Sequence, residues 1–159
     1  MRQLFHHAVL IGIAALGLAA GAGEVSAGEL KSVYFGRWTV DDPTDKFSAN
    51  GKLYRVLDIA RCGADFCGVS VDGGVCGETL FRFLAAHANT EELTGHGKWG
   101  AASKKVVLDR TYGANEAAPA TFALYVGEPT FNISSRSAMP LFVANYHRIG
   151  EPACTAPTS

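Results

Sequence analysis

From residue 33 onward, apolar and polar positions alternate in short stretches rich in Val, Leu, Phe, Tyr and Thr. Turn-forming clusters separate them: Asp41-Asp42-Pro43, Asn50-Gly51, Gly63-Ala64-Asp65, Asp72-Gly73-Gly74, Gly113-Ala114-Asn115 and Gly127-Glu128-Pro129. Such closely punctuated alternation predicts an all-β protein, an antiparallel sandwich or barrel. The stretches fall at 33–40, 52–61, 66–71, 78–84, 91–99, 104–110, 121–126, 131–135 and 141–148. This number of candidates predicts an up-and-down antiparallel barrel of about eight strands, with one irregular piece. Neither a βαβ rhythm nor an internal repeat is visible, which argues against a parallel sheet. The second stretch alternates imperfectly, because Arg55 shares a face with Leu53, Leu57 and Ile59. Another carries two signals, since Leu80, Phe81, Phe83, Leu84 and His87 also fit the apolar face of a helix. Its aromatic and β-suited residues favour a strand, and a helical turn is expected within 85–92.

The first 27 residues follow a different pattern. Arg2, His6 and His7 make a polar start, residues 8–22 carry no charge, and Val25-Ser26-Ala27 places small residues at a cleavage point. That order is expected of a secretory signal peptide, and the apolar run is short for a membrane span. No cysteine follows the run to take a lipid anchor, and no second run of spanning length occurs. The expected product is an exported, soluble protein with one barrel domain at 28–150 and a C-terminal tail at 151–159. Localisation is expected to be periplasmic or fully secreted.

Composition narrows the classes of function. The 159 residues include fourteen basic and fifteen acidic side chains, a net charge of -1. That balance supplies no basic field for nucleic acid. The phosphate-cradling, zinc-helix, nucleophile-elbow and dinucleotide fingerprints are all absent from the sequence.

Four cysteines, Cys62, Cys67, Cys76 and Cys154, lie beyond the leader. An even number in an exported chain reads as two disulfides, with three ways to pair them. The favoured pairing joins Cys62 to Cys67 across a tight hairpin and clips the Pro-rich tail to the body through Cys76 and Cys154. Zinc fits the spacing poorly, because no histidine pair stands nearby. His87, His96 and His147 have no ligand spacing, and Ser134, Ser135 and Ser137 lack a partner base. No cofactor, metal or catalytic residue is expected.

Aromatic residues carry more information: the chain has nine Phe, five Tyr and two Trp. Phe81, Phe83, Trp99, Phe122, Tyr125, Phe131 and Phe142 are candidates to line a ligand cavity, together with Arg55. The competing reading is that these rings simply fill the core.

Gly36-Arg37-Trp38 lies in the first expected strand and Tyr146-His147-Arg148 ends the last. This arrangement resembles the lipocalin-like (calycin) barrel, whose Gly-x-Trp opens the barrel and whose late arginine covers that tryptophan. The resemblance implies that Trp38 plugs a closed end and that Arg148 lies on its ring through a cation–π contact. Within that class, most of residues 33–150 are similar to an uncharacterised family of small exported bacterial domains. The similarity rests on the Gly-x-Trp start, on Cys62-Gly-Ala-Asp-Phe-Cys67-Gly68, on Gly97-Lys98-Trp99 and on the closing aromatic-x-Arg strand. Cys76 and Cys154 lie outside that shared pattern, and it carries no established activity. The expected function is a non-enzymatic exported barrel holding a small apolar or amphipathic ligand. The alternative is a periplasmic interaction module, such as a hydrolase inhibitor, using a disulfide-stiffened loop at 63–66 or 72–75.

Overall fold

The computed structural model describes residues 32–41, 47–110, 121–134 and 138–157. Eight antiparallel strands close into a barrel in chain order. They are β1 (Gly36–Val40), β2 (Val56–Cys62), β3 (Asp65–Asp72), β4 (Val75–Phe83), β5 (Glu92–Trp99), β6 (Ala102–Asp109), β7 (Thr121–Gly127) and β8 (Phe142–Gly150). The expected up-and-down topology is what forms: each strand pairs with its sequence neighbours, and β1 with β8 completes the ring. The expected leader at 1–27 lies outside the described residues.

Alternation decides which side chains go inside. Trp38 and Val40 of β1, Leu57 and Ile59 of β2, Phe66 of β3, and Phe81 and Phe83 of β4 all belong to the central core. Leu93, Val106, Leu108, Phe122, Leu124, Val126, Phe142 and Tyr146 complete it from β5 to β8. Room for the large rings comes from glycines on facing strands. A Cβ at Gly68 would fall within the Phe81 ring, and one at Gly95 would stand 2.6 Å from Cδ1 of Phe83. The rings pack on one another: Trp38 on Phe122 with centroids 4.6 Å apart, Phe122 stacked on Tyr146 at 5.0 Å, and Phe66 stacked on Phe83 at 5.4 Å.

Both ends of the barrel are closed by a buried tyrosine whose hydroxyl is satisfied by backbone. At one end Tyr34 donates to the carbonyls of Thr90 and Glu91, 3.0 and 2.7 Å away, and its own carbonyl accepts the Trp38 indole N–H at 2.8 Å. A 3-10 turn over Ala85–His87 brings that covering segment across. At the other end the Tyr54 hydroxyl donates to the Lys98 carbonyl, and the Tyr146 hydroxyl donates to the Tyr54 carbonyl. Phe47, Trp99 and Phe142 gather around this second plug. A short helix α1 (Ala49–Lys52), capped by the Ser48 hydroxyl, carries the chain over it.

Several boundaries differ from expectation for local reasons. The strand expected at 33–40 begins only at Gly36, because Ser32 turns the chain by accepting the amide of Phe35 on its carbonyl and that of Tyr34 on its hydroxyl. The stretch 52–61 starts inside α1, and its strand begins at Val56, so Arg55 precedes the ladder and its imperfect alternation disappears. The strand reading of 78–84 holds, as does the helical turn after it. The ninth candidate, 131–135, is not a strand over its described part. Phe131 donates its amide to the Glu128 carbonyl at 2.8 Å, and the Asn132 side chain accepts the Ser134 amide at 2.8 Å. Those local bonds satisfy backbone groups that a ladder would otherwise use.

The substitution Gly68→Ala tests this packing. The added methyl group has no space beside Phe81, so a loss of about 1–3 kcal/mol is expected by denaturant unfolding. Trimming the ring as well, in Gly68→Ala with Phe81→Leu, should recover part of the loss.

Candidate functional site

The expected ligand-lining residues divide into three groups. Phe81, Phe83 and Phe122 are buried in the barrel core, and Phe142 and Trp99 belong to the plug over Tyr54. Tyr125 and Phe131 do not face the interior. Along β7 the inward positions are Phe122, Leu124 and Val126, which puts Tyr125 outside, where its ring stacks on Phe131 at 6.0 Å. Phe131 sits over Gly127, 2.6 Å from where a Cβ would stand. These two rings border an external groove with Ile133, Met139 and Pro140. Arg55 is exposed at the mouth of another outer depression, beside Lys52, Leu53 and Asp72. The expected set is therefore split between a filled core and separate outer surfaces.

Trp38 is buried as expected, against Tyr34 and Phe122. Arg148 takes a different place from the one implied by the resemblance. Its guanidinium lies over Gly36, where a Cβ would come within 2.5 Å of Nε, donates to the Phe35 carbonyl at 3.3 Å, and pairs with Glu151. Among the described residues the cation–π contact is Arg110 over Tyr34, at 5.9 Å. Gly36 thus provides the space for Arg148, which stands opposite Trp38 in the β1–β8 ladder and reaches Glu151 of the C-terminal segment.

That segment builds the most organised feature on the outer face. Both favoured disulfides form, Cys62–Cys67 and Cys76–Cys154, with Cα atoms 5.8 and 5.5 Å apart. Residues 151–157 cross the outside of β2 and β3, and Cys154 and Ala156 pack with Cys62, Cys67, Val69 and Val71 in a second apolar cluster. Beneath them lies Asp58, an outward residue of β2 that the crossing segment leaves with no exposure to solvent. Its carboxylate accepts two hydrogen bonds from Arg37, at 2.7 and 2.8 Å, and the amides of Ala153 and Cys154 at 2.8 and 2.7 Å. Burial alone would raise the Asp58 pKa. The Arg37 hydrogen bonds and the two amides outweigh it and hold the carboxyl below its ordinary range. Sequence reasoning missed Asp58, although a lone carboxylate between Leu57 and Ile59 was a signal that something on the outer face had to pair with it.

The ribbon formed by β3 and β4 is the other feature. Its turn, Gly73–Gly74, has φ of 55° and 86°, a left-handed conformation that glycine adopts without strain. Val75 follows with 71% exposure, directly before the disulfide at Cys76. On one flank of the ribbon a groove of about 610 Å³ opens between β4 and β5. Glu78 and Lys98 face each other there, 3.1 Å apart.

Among the described residues there is no cluster of His, Cys, Asp or Glu that could hold a metal ion. His147 pairs with Asp41 at 2.7 Å. No helix in that set is long and apolar enough to cross a membrane. Comparison with known proteins finds no matching family model, no matching curated protein and no matching solved structure.

The crossing segment makes two outcomes testable. Replacing Cys76 and Cys154 together by Ser opens the loop that spans 78 positions, and loop entropy puts the cost at about 4.5 kcal/mol. Thermal unfolding of the unreduced proteins measures it. The depressed Asp58 pKa means that its contribution is complete above the ordinary carboxylate pKa and falls as pH drops through the folded value. Stability is therefore expected to decline below about pH 4, and Asp58→Asn should be less stable at neutral pH and less sensitive to pH in that window.

Proposed function

We propose that the protein is exported by its N-terminal segment 1–27 and works outside the cytoplasm as a non-enzymatic interaction module. Its recognition element is the β3–β4 ribbon, presented to a protein partner in the way that an inhibitor presents a stiff loop to a hydrolase. One observation carries this reading. The ribbon tip places Val75 in solvent at 71% exposure, one residue from a cysteine bonded to Cys154. An exposed apolar side chain on a covalently anchored turn loses little conformational entropy on docking, so more of its burial is realised as affinity.

Export is supported by the leader pattern at 1–27 and by two disulfides, which persist in oxidising compartments. The interaction reading is favoured over carriage of a small apolar ligand in the barrel. Rings expected to line such a cavity already contact one another, as Phe81 does Phe83 and Phe122 does Tyr146. Tyr34 and Tyr54 close the two ends through which a ligand would enter.

Site-specific photo-crosslinking in the exporting cell tests the proposal. A photoreactive side chain at position 75 is expected to cross-link to one discrete protein, whereas the same group at Ile149, also exposed, should not. Val75→Asp should weaken capture of that protein by about 30-fold, equivalent to roughly 2 kcal/mol for loss of a central apolar anchor. The absence of a specific product at position 75 would remove the ribbon from the interaction.

A further inference from the structure

In a closed barrel every strand has two neighbours, and most strands here use both along their length. Pairing between β5 and β6 runs from Glu92↔Asp109 to Trp99↔Ala102, and pairing between β3 and β4 runs from Phe66↔Phe83 to Asp72↔Val75. Between β4 and β5 the partners are Phe81↔Gly97 and Arg82↔His96. Continuing that register puts Thr79 opposite Trp99, the last residue of β5, so Val75–Glu78 run past the end of that strand. Over this stretch β4 pairs with β3 at Val75, Cys76 and Thr79, and Glu78 and Thr79 border the groove.

Two features fix this overhanging half of β4. The β3–β4 ladder shifts register on both sides of Val69, and such irregularities increase local twist and bend a strand. Cys76, opposite Val71 in that ladder, is bonded to the tail crossing β2 and β3. The outer half of β4 is thereby held to β3 and the tail.

We propose that this edge of β4 is a strand-addition site. An extended segment of the partner protein lies along β4 where it runs past the end of β5 and hydrogen-bonds to the backbone of residues 75–79. The inference rests on the interaction reading above and specifies its chemistry. Unpaired strand edges recruit further strands, and proteins that do not use them shield them. Here Glu78 and Lys98 span the opening with an ion pair exposed on both sides, a contact that gives way easily because water solvates both groups. The free edge is about 16 Å long, within the usual length of a strand. The groove sets Lys98 against Glu78, with Arg82 already paired to Asp65, so an acidic side chain can replace Glu78 on Lys98. At the ribbon tip the added strand requires an apolar residue to cover Val75.

Amide hydrogen exchange on the unreduced protein tests the proposal, with a synthetic peptide of alternating Thr, Val and Glu as the probe. Without peptide, alternate amides within 75–79 should exchange at least roughly tenfold faster than the paired amides of β5 and β6. The acidic peptide should slow those amides by about tenfold, and its counterpart with Lys in place of Glu should not. Lys98→Glu should reverse that preference, which a merely damaged fold cannot do. Strand addition is overturned if the peptide leaves 75–79 unprotected or protects the Tyr125–Phe131 surface. It is also overturned if protection grows with protein concentration alone, the mark of a second copy on the edge. If the protein cross-linked at position 75 binds without protecting these amides, the ribbon interaction stands and strand addition falls. If no cross-link forms at position 75, the interaction reading falls with it.

Discussion

A barrel of eight strands encloses about one layer of side chains, and in this protein large rings occupy that layer because glycines face them. Phe81 lies where Gly68 has no side chain, and Phe83 where Gly95 has none. With the middle filled, the ends are closed by tyrosines rather than left open, and each hydroxyl finds a carbonyl on the segment it supports. Those bonds matter because an unpartnered hydroxyl buried at a barrel end would cost about 1–3 kcal/mol.

Outside, one carboxylate organises the rest. Asp58 is buried only because the C-terminal segment covers it, and that segment is held there by the amides it offers to Asp58 and by Cys154. Arg37 supplies the compensating charge, so the buried group is paired and fully hydrogen-bonded. The same disulfide that fixes the tail also fixes the start of β4. The part of β4 that runs past the end of β5, with Val75 at its tip, is thus tied to the anchored tail. A strand freed on one side and stiffened on the other is well disposed to meet an extended chain.

Much of the architecture could be read from the sequence. The turn clusters and alternating stretches predicted an up-and-down barrel, and the cysteine spacing predicted both disulfides. Where alternation stopped carrying information, the reading weakened. Phe131 has strand character in sequence, yet its amide bonds to Glu128 and that of Ser134 to Asn132, which takes these groups from a strand ladder. Tyr125 was grouped with the inner rings because aromatic content alone does not reveal a face; its register beside Leu124 and Val126 does. Arg148 was placed on Trp38 by resemblance; it stands opposite Trp38 in the ladder, and its polar contacts go to Phe35 and Glu151. The surroundings of Asp58 and the Glu78–Lys98 pair depend on contacts between residues about 20 to 95 positions apart, which no local pattern encodes.

Titration of the unreduced protein with a medium-chain fatty acid, followed through the ring resonances of Phe81, Phe83 and Phe122, examines the filled interior most directly. The account predicts that these resonances stay unmoved while the protein remains folded. Saturable shifts confined to those rings would show that the barrel opens to a ligand, and would contradict a protein whose binding surface lies on its outside.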